Sequence, residues 1–217
     1  MLEKIGMEKY RTVSQPCKEC LELIELLKMQ NGAGSITFAE IGIGVGATAV
    51  EAVKLLSAED SYYMFSFESD VNELKEDLLK LDLQCKNIYA MGNTAKPGDS
   101  YSWTLAKLLL DSKKELFDLV YLDGAHAFIH DSSACCVLKK LTKVGGFIIF
   151  DDIDWCHAKS PTANPEVKPE TLTNYTMEQI NTCQVKMVVD IFMQNDPDWE
   201  MAESISTEHR VVYKRLK

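Results

Sequence analysis

Apolar residues in this chain fall into short continuous runs separated by stretches of helical period. Ile36–Ile41, Tyr62–Phe67, Asn87–Met91, Phe117–Leu122 and Gly146–Phe150 read as strands. Between them lie apolar residues spaced three to four positions apart: Ala49, Val53 and Leu56, then Val71, Leu74, Leu78 and Leu81. Ser100–Leu110 continues the pattern, as does Ser132–Leu141 with Cys135, Leu138 and Leu141. That spacing puts each set on one face of a helix. An earlier helix is marked by Cys17, Cys20, Leu21, Ile24 and Leu27, with Ser14 as its expected cap, Pro16 in its first turn and Gly32 and Gly34 at its end. Strands apolar almost throughout, alternating with amphipathic helices, imply a parallel sheet covered on both faces.

The rhythm breaks after Asp151. Residues 153–175 hold three prolines (Pro161, Pro165, Pro169) and no clear period, as expected of a lid or binding loop. Thr176 and Gln179 have the spacing of a capping box, which predicts a helix running through Ile180, Met187, Val188 and Ile191. Trp199–Ser204 and Arg210–Lys214 read as two final strands, antiparallel across the short Ser206-Thr207-Glu208 turn. The expected class is α/β, doubly wound. No boundary divides residues 1–217, so one domain is expected, with residues 1–34 as an N-terminal helical segment and 153–175 as a lid-like insertion.

Composition narrows the partners. The 217 residues are 46% hydrophobic, enough for a sizeable core. Asp and Glu number 33 against 23 Lys and Arg, a net charge of −10. That balance repels phosphate backbones, and the most basic stretch is only the tail His209–Lys217, so no nucleic-acid partner is expected. No run approaches the roughly 18 apolar residues of a membrane span, and charged Met1–Arg11 does not read as a signal peptide. Seven scattered cysteines fit free thiols in a reducing, cytoplasmic setting. Cys17 and Cys20 lie on the apolar stripe with no second pair to follow, so packing is expected of them rather than metal or redox work. The remaining partners are a small-molecule acceptor and, through the apolar N-terminal helix, a second copy of the chain.

In a doubly wound sheet, ligands sit at the carboxyl ends of the strands. The first strand ends in Glu40 and the turn Gly42-Ile43-Gly44-Val45-Gly46. Glycines let a ligand approach the backbone, and the helix that follows offers free N–H groups. The second strand ends in Glu68, 26 positions after Gly42. A carboxylate there can accept two hydrogen bonds from a ribose diol; the plain alternative is a solvated acid favoured by the helix dipole. Asn93 either meets an adenine edge or starts a turn. The fourth and fifth strands end in Asp123-Gly124-Ala125-His126 and Asp151-Asp152. Three adjacent carboxylates are costly unless a cation neutralises them, and oxygen ligands suit Mg²⁺; otherwise Asp151 or Asp152 caps a turn and Asp123 touches only the cofactor. His126, three residues past Asp123, suits a general base or a loop support. A zinc site from His126, His130 and His157 lacks the glutamate of the helical zinc motif.

Glu40–Gly46, Glu68, Phe117–His126 and Gly145–Asp152 together resemble class I S-adenosylmethionine (SAM)-dependent methyltransferases. More narrowly, they resemble the divalent-metal-dependent small-molecule O-methyltransferases of catechol and macrolide-sugar types, over about residues 36–153. The resemblance implies a Rossmann-like, seven-stranded sheet, mostly parallel with an antiparallel last strand. It implies SAM and Mg²⁺, or a similar divalent cation, as cofactors. Glu40, Gly42 and Gly44 would hold the amino-acid end of SAM, and Glu68 the ribose. Asn93 stands near adenine, where many relatives carry an acid. Asp123 would serve cofactor and metal, Asp151 and Asp152 the metal. His126 would be the base, as in the sugar group; the catechol enzymes have lysine there. The implied reaction methylates a hydroxyl of a sugar diol or catechol-like phenol. Two rivals are an NAD-dependent oxidoreductase, whose turn is spaced G-x-G-x-x-G instead, and a non-catalytic SAM-binding regulatory domain.

Overall fold

The computed structural model describes residues 1–32 and 34–217. Its elements in chain order are α1 (Lys18–Asn31), β1 (Thr37–Ile41), α2 (Ala47–Leu55), β2 (Ser61–Phe67), α3 (Glu68–Lys80), β3 (Asn87–Asn93), α4 (Tyr101–Ser112) and β4 (Phe117–Leu122). They continue as α5 (Phe128–Leu141), β5 (Thr142–Phe150), α6 (Thr171–Asn174), α7 (Met177–Asn181), α8 (Gln184–Phe192), β6 (Trp199–Met201) and β7 (Val211–Arg215). The seven strands form one sheet in the order β3-β2-β1-β4-β5-β7-β6. β1 to β5 pair in parallel, and β7 runs antiparallel to both of its neighbours. This is the Rossmann-like, doubly wound arrangement expected from the sequence.

Side chains alternate across the sheet, so each strand supplies two cores. Phe38, Tyr62, Leu119 and Ile149 pack toward α1, α2 and α3. Ala39, Ile41, Val120, Leu122 and Phe150 pack toward α4, α5 and α8. The chain winds outward through β2 and β3, then returns to place β4 on the other side of β1. That reversal opens a crevice between the carboxyl ends of β1 and β4. The register aligns those ends: Ile41 lies opposite Phe65 and Leu122, and Leu122 opposite Phe150. The next residues, Gly42, Ser66, Asp123 and Asp151, therefore emerge side by side.

Four local expectations need correction. α1 starts at Lys18 with Cys17 as its cap residue, not Ser14. The Ser14 hydroxyl instead donates to the Tyr10 carbonyl and accepts the Gly6 N–H, tying down the segment before α1. The capping box of Thr176 and Gln179 is present, but its helix breaks at Thr182–Cys183 and restarts as α8. The break resets the phase, so Val185, Val188 and Val189 turn inward while Met187 and Ile191 face solvent. β6 ends at Met201 rather than Ser204. Residues 153–175 contain a single-turn helix at His157–Lys159 and the short α6, held by bonds from Asn164 to the Ala158 carbonyl and from Thr171 to the Ala163 carbonyl. Cys17 and Cys20 are buried in the core, and burial pushes both thiols well up, as packing residues require. Among the described residues, no helix is long and apolar enough to cross a membrane.

Candidate active site

The glycine turn is shaped first by the sheet itself. Gly42 has φ +82°, and a Cβ there would overlap the carbonyl oxygen of Asp123. Its N–H donates to the Phe65 carbonyl, while the Asp123 N–H donates to the Ile41 carbonyl, both at 2.8 Å. Glycine is thus required because the ends of β1 and β4 close on each other, and a left-handed backbone is cheap only for glycine. The turn separates two clefts, each about 570 Å³ and open to solvent.

The first cleft is walled by Gly42, Ser66, Phe67, Asn93, Tyr101 and Ala125. Asn93 is buried; its Nδ2 donates to the Thr94 carbonyl, but its Oδ1 has no partner. A buried acceptor left unpaired costs about 1–3 kcal/mol, so this edge is built for a donor. Asp99 also lines the cleft, accepting from the Thr94 N–H and hydroxyl at 2.7 Å. Tyr101 donates to Asp131 and accepts the Ala125 N–H, which pins the loop carrying Asp123 and His126. Glu68 is exposed at the first turn of α3; its neighbour Phe67 lines the cleft and Glu68 does not.

The second cleft is acidic. Glu40, Gly44, Asp123, His126, Asp151 and Asp152 line it, with Tyr121, Arg210 and the N-terminal Thr12, Val13 and Gln15. Glu40 points to the α1 side, buried, and accepts the Tyr62 hydroxyl. Burial raises its pKa to about 8; the Tyr62 bond opposes this and Asp123 adds to it. His126 Nε2 lies 3.0 Å from Asp123 Oδ1 and 3.6 Å from Asp152 Oδ2. Burial disfavours its charge, but the bond to Asp123 and the fields of Asp123 and Asp152 prevail, raising its pKa to about 9. The Trp155 ring stands 5.1 Å from the His126 ring, which brings the proline-rich segment beside the site.

Two of the expected residues have close partners here. Asp151 is not free to join Asp123 and Asp152: Arg210 Nε lies 2.8 Å from its Oδ1, and Tyr121 donates to its Oδ2. His126 Nε2 is likewise engaged, set between one oxygen of Asp123 and one of Asp152. The three donors that converge are Asp123, His126 and Asp152, whose ligand atoms lie within 4.8 Å of one another. His130 instead lines the first cleft and His157 packs at a tilt against Tyr175, so His126, His130 and His157 do not converge. Arg210, 59 residues beyond Asp151, was not visible as a site residue; only the sheet brings β7 beside β5. Tyr121 gave a weak signal, a phenol two residues before a strand-end acid.

The sequence matches no family model and no curated protein. Solved structures share the fold. A candidate O-methyltransferase from Klebsiella pneumoniae superposes with a TM-score of 0.62 at 14% identity, over 100% of this chain and 90% of that one. The O-methyltransferase TomG from Streptomyces achromogenes, involved in tomaymycin synthesis and solved with SAM, gives 0.59 at 12%, over 100% and 89%. A protein from Corynebacterium glutamicum gives 0.64 at 12%, over the same shares. At these identities the likeness is one of fold.

Proposed function

We propose that this chain transfers the methyl group of SAM to a hydroxyl oxygen of a small molecule bearing neighbouring oxygens, a sugar diol or a catechol-like phenol, with a divalent cation at Asp123 and Asp152. The observation that carries the reading is the pairing of a largely apolar cleft containing one unpaired buried acceptor with an adjoining acidic cleft. An adenine amino group is a donor matched to Asn93 Oδ1. The sulfonium and ammonium of SAM are cations, matched to a cleft holding Glu40, Asp123, Asp151 and Asp152. A dinucleotide would instead set its diphosphate against those carboxylates, which argues against the NAD reading.

In this reading Asn93 and Tyr101 would hold the adenosine of SAM, and Glu40 and Gly44 its amino acid. Methyl transfer needs the oxygen in line with the sulfonium, so most of the catalysis is positioning. The Tyr101 bond to Ala125 fixes the loop that aims Asp123 and His126. Asp123 and Asp152 would hold the cation, which when bound would supply charge stabilisation to the acceptor oxygen. The Asp123 and Asp152 side chains are 33% and 39% exposed, so the acceptor's proton has an acidic route to solvent. Trp155 packs beside His126 and would help shield that side of the site from water.

Titration calorimetry with SAM, followed by methyl transfer from labelled SAM to a panel of vicinal diols and catechols, tests the reading. Binding is expected, together with transfer that falls at least 100-fold on chelation, the loss of several kcal/mol that such charge stabilisation supplies. A chain that does not bind SAM ends the proposal.

A further inference from the structure

We propose that the cation is held by Asp123, His126 and Asp152 with Asp151 left out, and that the site therefore prefers a nitrogen-binding transition ion such as Co²⁺ or Zn²⁺ to Mg²⁺. The proposal takes the purpose of the site from the methyl-transfer reading, but its ligand set stands on geometry alone.

The distances have the scale of a coordination shell. Donor atoms at neighbouring corners around an ion, with bonds of about 2.1 Å, lie roughly 3.0–3.4 Å apart. His126 Nε2 stands 3.0 Å from one Asp123 oxygen and 3.6 Å from one Asp152 oxygen. The third edge, between Asp123 and Asp152, is also within 4.8 Å, so the three donors face a common point that an ion could occupy as they draw in.

Asp151 offers no comparable position, because both of its oxygens are engaged. Oδ1 accepts the Asp152 N–H at 2.8 Å and faces Arg210 Nε. Oδ2 accepts the Tyr121 hydroxyl and one Arg210 terminal N–H at 3.2 Å. The guanidinium carries a fixed positive charge that Asp151 already balances, and it repels a dication placed on the same carboxylate. The donor set becomes two carboxylates and one imidazole.

That set changes the choice of ion. Mg²⁺ binds oxygen ligands and sheds water reluctantly. Imidazole nitrogen favours the later first-row ions such as Co²⁺ and Zn²⁺, whose affinity for a mixed nitrogen and oxygen site exceeds that of the oxygen-preferring ions. A ligand role for His126 also excludes a base role, because the same Nε2 lone pair cannot serve both.

The test is metal binding by the full-length, metal-depleted chain. Co²⁺ and Mg²⁺ are titrated separately by calorimetry, and the visible absorption of bound Co²⁺ is recorded. Co²⁺ is expected to bind at least about 100-fold more tightly than Mg²⁺. His126→Asn is expected to lower Co²⁺ affinity at least about 30-fold and to alter the Co²⁺ spectrum. Asp151→Asn should leave Co²⁺ affinity within about 3-fold. If Asp151→Asn does not fold, the Co²⁺-to-Mg²⁺ ratio and the His126→Asn spectrum decide by themselves. Mg²⁺ binding as tightly as Co²⁺, or an unchanged spectrum in His126→Asn, overturns the assignment, as does loss of Co²⁺ on Asp151→Asn. A parallel SAM titration keeps the two ideas apart: absent SAM binding ends the methyl-transfer reading and leaves the metal result standing, and the converse also holds.

Discussion

The two clefts that meet at the glycine turn are built on opposite principles. The first is walled by Phe67, Tyr101 and backbone, with a single unpaired acceptor at Asn93. The second gathers four carboxylates, one histidine and one arginine around a smaller apolar share. Apolar walls stabilise the fold and a ligand by the same burial. Clustered acids work against the fold, since each buried charge raises the free energy of the others. The chain tolerates that cost on one side of Gly42 and not on the other. On the proposed reading the difference separates recognition from chemistry: one cleft would hold a flat apolar ligand by shape, and the other is an electrostatic deficit that a cation would relieve.

The sharpest way to expose the deficit is Glu40→Gln. A carboxylate whose pKa rises from 4.5 to about 8 on folding costs up to about 5 kcal/mol once both states are ionised. The sign follows from the direction. Because the folded pKa is above the unfolded one, the contribution of Glu40 to stability is fully present below about pH 4.5 and is lost as pH rises through about 8. Denaturant unfolding from pH 5 to pH 8 should therefore show Glu40→Gln gaining on the parent by several kcal/mol. A constant difference across that range would mean that Glu40 is not desolvated and that the second cleft carries no such cost.

How much of this contrast could be read without the structure depends on chain distance. Continuous apolar runs alternating with stretches of helical period placed β1 to β5, and counting to the ends of those strands found Glu40, Asp123, Asp151 and Asp152, because parallel register carries strand ends to one edge. Asn93 was found the same way. Arg210 was not, because nothing local to it signals that β7 enters the sheet antiparallel beside β5. The withdrawal of Asp151 from the acidic group was hidden for the same reason. The inward face of α8 was misjudged because a two-residue break at Thr182–Cys183 has no proline or glycine to announce it. Glu68 was placed correctly at the end of β2, but only the structure shows it turned to solvent while Phe67 lines the cleft.

The second cleft also depends on Arg210 to keep Asp151 charged. Arg210→Met should destabilise the chain by about 3 kcal/mol at pH 8, the usual cost of leaving a buried charge without its partner. Burial and Asp123 already push the Asp151 pKa up, and Arg210 holds it down. Without the arginine, Asp151 takes up a proton more readily, so the loss should shrink as pH falls toward 5. Unfolding at the two pH values checks this, with SAM affinity expected to change little if the first cleft supplies most of the binding. A loss independent of pH would make Arg210 a packing residue instead.

The smallest effect belongs to the first cleft, and it tests the division directly. Asn93→Leu removes a buried acceptor that has no partner and replaces it with a side chain of similar size. Losing the unsatisfied acceptor is favourable and losing the Nδ2 bond to the Thr94 carbonyl is not, each about 1 kcal/mol, so the melting temperature should change little. The same change should weaken SAM by about 1–2 kcal/mol, roughly 10-fold, through the lost hydrogen bond to the adenine edge. Co²⁺ affinity should not move, because Asn93 lies in the first cleft and the three donors lie in the second. Calorimetry with each ligand on one preparation reads both numbers. If Asn93→Leu lowers ion and SAM affinity together, the clefts act as one site, and the separation of recognition from chemistry across Gly42 fails.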